Sequence, residues 1–208
     1  MTNKKTLVIA TANRGKAEEL KIIFQDTGFD LKFLFDFPEE LKDLEIIENA
    51  KTFEGNALIK AIVVGDMLNM ITLADDSGLC VDALDNRPGV FSARYSGVGT
   101  DEANYLKVLE EMKDTPFEQR DCHYNCTAAI YDPKTKFVDT VEGIWDARVA
   151  LEPKGDKSFG YAPIILAKDF DYQKTNAEFN PKDLININHR GKAFKKAIEV
   201  LNIYLKKI

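Results

Sequence analysis

Leu7-Val8-Ile9-Ala10-Thr11-Ala12-Asn13-Arg14-Gly15-Lys16 is the stretch that decides the class of this chain. Leu7 to Thr11 is a short apolar run suited to a buried strand. Ala17, Leu20, Ile23 and Phe24 follow at helical spacing, which predicts a helix from Gly15 to about Phe24. A strand that turns directly into a helix is the building unit of an α/β protein. The helix N-terminus offers unpaired N–H groups and the positive end of a dipole, a combination that suits phosphate. Lys16 adds a point charge, and Gly15 allows close approach of the backbone. The spacing is not that of the P-loop, and taken alone a strand-to-helix turn with a solvated lysine is the commoner explanation.

Asp30 to Phe35 alternates Leu31, Phe33 and Phe35 and reads as a second strand. Phe53 to Leu68 reads as a helix with Ala57, Ala61, Val64 and Leu68 on one face. Ile71 to Ala74 is expected to be a short strand ending at Asp75-Asp76-Ser77-Gly78, with a separate strand over Leu79 to Leu84. Thr100 to Met112 is predicted as an amphipathic helix with Leu106, Leu109 and Met112 inward. Two or three long strands are expected over 118–150, around the turn Asp132-Pro133-Lys134. A loop is expected near Asp183, and then a last helix from Gly191 to Lys206 with Ala193, Ala197, Val200, Leu201 and Tyr204 inward. The expected fold is α/β, with a mixed curved central sheet flanked by helices and two lobes with a cleft between them.

Composition narrows the function. The chain has 208 residues, 45% hydrophobic and 30% charged, which excludes disordered and collagen-like readings. Its formal charge of −6 disfavours nucleic acid polymers and anionic membranes, which both call for a broad basic field. No apolar run reaches the roughly 18 residues of a membrane span, and no signal-peptide core precedes the first strand. Three cysteines in a chain this long do not make a disulfide framework. Cys122-His123-Tyr124-Asn125-Cys126 alternates like a strand, so Cys122, Tyr124 and Cys126 share one face and His123 the other. Core cysteines therefore explain this segment better than a zinc site. A reduced, cytoplasmic protein is the expectation.

Three further segments carry chemistry. In Asp75-Asp76-Ser77-Gly78 the adjacent aspartates point to opposite sides of an extended chain. One of them, with Glu48 or Glu54, suits Mg²⁺, while a turn with capping aspartates is the plainer alternative. Asn188-His189-Arg190-Gly191-Lys192 places cations at a helix N-terminus, where they oppose the dipole unless an anion binds. Ser158-Phe159-Gly160-Tyr161-Ala162-Pro163 has two aromatics around a glycine, which can offer a stacking surface to a base or simply form a packed turn.

In order and type, these segments resemble the inosine triphosphate pyrophosphatase family over nearly the whole chain. The resemblance also covers Thr52-Phe53-Glu54-Gly55-Asn56-Ala57 with Lys60-Ala61, and Pro88-Gly89-Val90-Phe91-Ser92-Ala93-Arg94-Tyr95-Ser96-Gly97. It implies a single catalytic domain over residues 1–208, usually as a homodimer. It implies metal-dependent hydrolysis of a nucleoside triphosphate to monophosphate and pyrophosphate, with Mg²⁺ as cofactor or Mn²⁺ in its place. ITP, dITP and XTP are the family's substrates. By the same resemblance Asp76 is the metal ligand or the base for water, and Glu48 is a second metal ligand. Lys16 and Lys60 join Asp76 as catalytic residues. Thr11, Asn13, Asn56 and Ser77 belong to the substrate-binding set with the two lysines. Phe159 matches the residue that stacks on the base, followed by Gly160, Tyr161 and Ala162. Leu184, Asn188, His189 and Arg190 complete the set at the base and phosphate end. A nucleotide-binding sensor without turnover is the alternative on the same fold.

The departures from the family gather at one end. Ser158 stands for a glycine, Ala162 for an aspartate, Leu184 for a lysine, Asn188 for a serine and, more mildly, Ala12 for a glycine. The phosphate and metal residues Lys16, Lys60 and Asp76 are intact. A 6-oxopurine offers an O6 acceptor and an N1–H donor, which a lysine and an aspartate satisfy together. Losing both predicts altered or broadened base specificity. Compensation by Arg190 or backbone groups is the competing expectation.

Overall fold

The computed structural model describes residues 5–156 and 159–207, so Ser158 lies outside the described residues. The chain forms two compact units. One comprises 5–76, Cys126–Gly143 and 191–207; the other comprises Ser77–Asn125 and 144–190. A mixed sheet in the order β2-β1-β3-β5-β6-β7 runs through the chain. Its strands are β1 (Lys5–Ile9), β2 (Phe29–Phe33), β3 (Thr72–Val81), β4 (Arg87–Pro88), β5 (Asp121–Asp132), β6 (Phe137–Val149) and β7 (Ile165–Ala167). β4 pairs with β3. β1 is parallel to β2 and β3, whereas β4 on β3 and β7 on β6 are antiparallel. The helices are α1 (Arg14–Ile23), α2 (Phe53–Leu68), α3 (Asp101–Glu111), α4 (Pro181–Leu184) and α5 (His189–Leu205).

In the first unit strand alternation divides the core. Leu7 and Ile9 of β1, Leu73 of β3 and Cys126, Ala128 and Ile130 of β5 face Ala17 and Leu20 of α1 and Ala193, Phe194 and Ala197 of α5. Val8, Ala74, Ala129 and Tyr131 face Ala57, Ala61 and Val64 of α2. Strands covered by helices on both faces read as unbroken apolar runs, which is why Leu7-Val8-Ile9 is legible. In the second unit Leu79 and Val81 of β3, Cys122 of β5, and Ala147 and Val149 of β6 pack on Val108 and Met112, on and just after α3.

The sequence expectations need five corrections. β3 runs unbroken through Asp75-Asp76-Ser77-Gly78, because the polar side chains find partners to either side of the strand. β2 ends at Phe33, where its partner β1 runs out at Ile9. There Asp36 Oδ2 accepts a 2.8 Å bond from the Phe33 N–H, closing a turn of 3-10 helix. On α3, Leu106 is 46% exposed and Asn104 takes the inward place. Asn104 accepts from the Ser96 N–H at 2.8 Å and donates to the Ala93 carbonyl at 3.2 Å. Residues around Asp183 form the short helix α4, with Asn180 as its cap, rather than a loop. Finally, α5 starts at His189, two residues before the expected Gly191. Cys80, Cys122 and Cys126 are buried thiols.

Arg120 ties the second unit together. It is 3% exposed and donates to the carbonyls of Thr115 (3.0 Å), Ala150 (2.9 Å) and Met112 (2.6 Å). Arg120→Met removes the donor from three acceptors and is expected to cost about 2–4 kcal/mol, read as a lowered urea midpoint. A loss below about 0.5 kcal/mol, the scale of a surface change, would mean that these bonds do not hold the unit together.

Candidate functional site

The first unit carries the phosphate and metal candidates. Asn13 caps α1 by accepting a 3.1 Å bond from the Lys16 N–H. The Asn13 N–H in turn donates to Thr11 Oγ1 at 3.2 Å. This fixes the turn that follows β1 and aims the α1 N-terminus. Lys16 Nζ lies 2.8 Å from Asp75 Oδ2, a carboxylate almost wholly buried. Asp75 was not among the expected site residues. The opposite-facing aspartates of Asp75-Asp76 were a signal that the two enter different clusters, though not of which partner Asp75 meets.

Asp76, on the other face of β3, enters a second cluster. Asn56 on α2 donates to Asp76 Oδ2 at 2.9 Å and accepts from the Ala50 N–H at 3.0 Å. Lys60, one turn further along α2, has Nζ 2.5 Å from Glu48 Oε2 and 3.8 Å from Asp76 Oδ1. Thus Glu48, Asn56, Lys60 and Asp76 are brought together. Burial pushes the Asp76 carboxyl above the usual carboxylate value, and the Glu48 charge adds to this. Lys60 and the Asn56 hydrogen bond oppose the rise. Among the described residues no group of three or more His, Cys, Asp or Glu is placed to hold a metal. A magnesium ion does not require one, since it commonly binds through one or two carboxylates plus phosphate oxygens and water. Two carboxylates gathered around the Lys60 ammonium fit that role.

The second unit carries the base candidates. Phe159 is 46% exposed, whereas Tyr161 is buried and donates to the Ser92 carbonyl at 2.7 Å. Only one of the two aromatics in that turn is therefore available for stacking. Gly160 has φ +65°, and its N–H donates to Asp101 Oδ2 at 2.8 Å. Ala162 is buried in the following 3-10 turn. Arg190 donates to Ser77 Oγ at 3.2 Å. Asn188 and His189 are buried, and the Asn188 N–H closes α4 by donating to the Leu184 carbonyl at 2.9 Å. His189 stacks on Tyr124, with ring centroids 4.6 Å apart and planes 12° from parallel. Leu184 is buried against Trp145 and Ala167, with Tyr124, Phe170, Phe179 and Ile187 around them. The side chain in the family's lysine position is thus spent on packing. Tyr124 and Trp145 were absent from the expected site. The alternation of 122–126, which put Tyr124 on the core face, was the available clue.

The class these residues define is an α/β protein with lysines and carboxylates suited to an anion and a cation in one unit, and aromatics with a buried histidine in the other. The chain belongs to the Ham1 family, whose model matches residues 7–200. It is 40% identical over 207 residues to a dITP/XTP pyrophosphatase of Lactococcus lactis, covering 98% of this chain and 100% of that one. A dITP/XTP pyrophosphatase of Bacillus subtilis is 42% identical over 200 residues, covering 95% and 97%. The solved Ham1 protein of Staphylococcus aureus superposes with a TM-score of 0.82 at 33% identity, covering 95% and 98%.

Proposed function

We propose that this chain hydrolyses nucleoside triphosphates to the monophosphate and pyrophosphate as a single metal-dependent catalytic domain. Its class, a nucleoside triphosphate pyrophosphatase, follows from its family and from relatives named dITP/XTP pyrophosphatase. The observation that carries the reading is the cluster of Glu48, Asn56, Lys60 and Asp76. Binding a nucleotide alone does not call for a half-buried, hydrogen-bonded carboxylate; activating water at phosphorus does. Asp76, held by Asn56, serves as metal ligand or as acceptor of the water proton. Lys16 and Lys60 neutralise the charge that grows on the leaving pyrophosphate. Both lysines are held by carboxylates, so each is pre-oriented but must exchange a partner for phosphate. Glu48 and Asp76 would hold Mg²⁺, or Mn²⁺ in its place. When bound, the ion supplies charge neutralisation and lowers the pKa of water. Thr11, Asn13 and Ser77 complete the phosphate contacts, and Phe159 stacks on the base, with Gly160 and Tyr161 in the same substrate-binding set.

The base end is read differently from that of the family, through Ala162, Leu184 and Asn188 beside His189 and Arg190. The buried setting of Leu184, packed on Trp145 and Ala167, supports this. The enzyme works as a homodimer on a soluble substrate. Among the described residues no helix is long and apolar enough to cross a membrane.

A screen of the common and deaminated NTPs and dNTPs for pyrophosphate release tests the activity and its selectivity together. Release from several bases is expected. A strong preference for ITP, dITP and XTP alone would remove the altered selectivity, and no release from any nucleotide would remove the activity.

A further inference from the structure

His189 is the buried imidazole of the first turn of α5, and two aromatic rings of the second unit lie nearly parallel to it. Tyr124 is 4.6 Å from it at 12°, and Trp145 is 6.4 Å from it at 15°. Tyr124 and Trp145 are themselves 6.4 Å apart at 22°. The indole is anchored, since Trp145 Nε1 donates to Asp169 Oδ2 at 2.7 Å. Burial pushes the Tyr124 phenol well above its usual value, so the ring presents a neutral face to the imidazole. Leu184 packs into the same cluster.

The rotation of an imidazole about its terminal side-chain bond is broad and weakly restricted by local sterics. A parallel ring at stacking distance removes that freedom before any ligand arrives, and aromatic pairs of this kind are worth about 0.5–1.5 kcal/mol beyond buried area. We infer that Tyr124, backed by Trp145, is a positioning residue that sets the plane of His189 and so makes it the fixed hydrogen-bonding group for the substrate base. The inference rests on the proposed function, in which His189 contacts the base. It assigns Leu184 a consequence as well: the side chain that elsewhere would meet the ligand here stiffens the stack. A base then meets one pre-oriented imidazole rather than a flexible ammonium, and the ordering cost is met in folding rather than in binding.

The chain has two histidines and one tryptophan, which makes the test direct. Tyr124→Met removes the ring at similar volume, and Tyr124→Phe keeps it. The Met variant should raise KM for the best nucleotide about 5–10-fold with kcat within about 2-fold, the equivalent of one lost ring contact. The Phe variant should match the parent. Equal impairment of both variants would overturn the inference, because the hydroxyl rather than the ring would then be the cause. Loss of kcat at unchanged KM would overturn it too.

A second readout does not depend on the Met variant folding. In His123→Gln a single imidazole remains, and its ring protons should be shifted upfield in the NMR spectrum by the Tyr124 ring and shifted again on adding nucleotide. Signals at ordinary positions, or signals that nucleotide leaves unmoved while turnover persists, would overturn the inference. Absence of turnover in the parent chain would sink the proposed function alone, since the imidazole shift still reads the stack and the base contact.

Discussion

Asp76→Asn should abolish pyrophosphate release while leaving nucleotide binding nearly unchanged. The substitution keeps the size of the side chain and its place on β3, facing Asn56 and Lys60. It removes one negative charge and, with it, the ability to take a proton from water. Positioned general bases contribute about 10²–10⁴-fold, so kcat should fall by at least that range, with loss of a metal contact deepening it. Affinity for the triphosphate should persist, because Lys16 and Lys60 remain and Lys60 is freed from one of its two carboxylates. Single-turnover pyrophosphate release and equilibrium titration of a nucleotide separate the two quantities. Turnover that survives in the variant would remove Asp76 from the chemistry. A parent chain that binds tightly but releases no pyrophosphate would instead favour the sensor alternative.

Much of this cluster was legible in the chain, and the reason is local. Phe53–Leu68 matches its expected helix because Thr52 caps it through the Gly55 N–H and the apolar positions recur at the helical period. Lys60 and Asn56 then follow on the same helix, one turn apart. What was not legible depends on partners distant in sequence. Nothing near Asp75 announces that Lys16 will meet it, so the aspartate pair read as a strand end rather than as the middle of β3. Asn104 displaced Leu106 from the core because its amide satisfies two backbone groups before the helix, a gain that periodicity does not register. Tyr124 looked like one more core residue of an alternating strand. Only the fold brings α5 round so that His189 lies on its face.

The second large effect is expected from restoring the family pattern at the base end. Ala162→Asp together with Leu184→Lys returns an acceptor and a donor to positions that are now apolar and buried. Sites built to hydrogen-bond a substrate group can discriminate by about 10⁴-fold against analogues that lack it. The double variant should therefore raise the ratio of kcat/KM for ITP over ATP by about 10²–10⁴ relative to the parent. Leu184→Lys alone should behave differently. It places an ammonium among Trp145, Ala167 and Phe179 with no carboxylate supplied by Ala162, and an unpaired buried charge is costly. The single variant should lose about 2–4 kcal/mol of stability, in the range of other disrupted cores, and gain little selectivity. Part of the cost should be recovered in the double variant, which thermal denaturation of the single and double variants would reveal as non-additivity. An unchanged ratio in a well-folded double variant would mean that the base is read by Asn188, Arg190 or the backbone, and that Ala162 and Leu184 lie outside the specificity contacts.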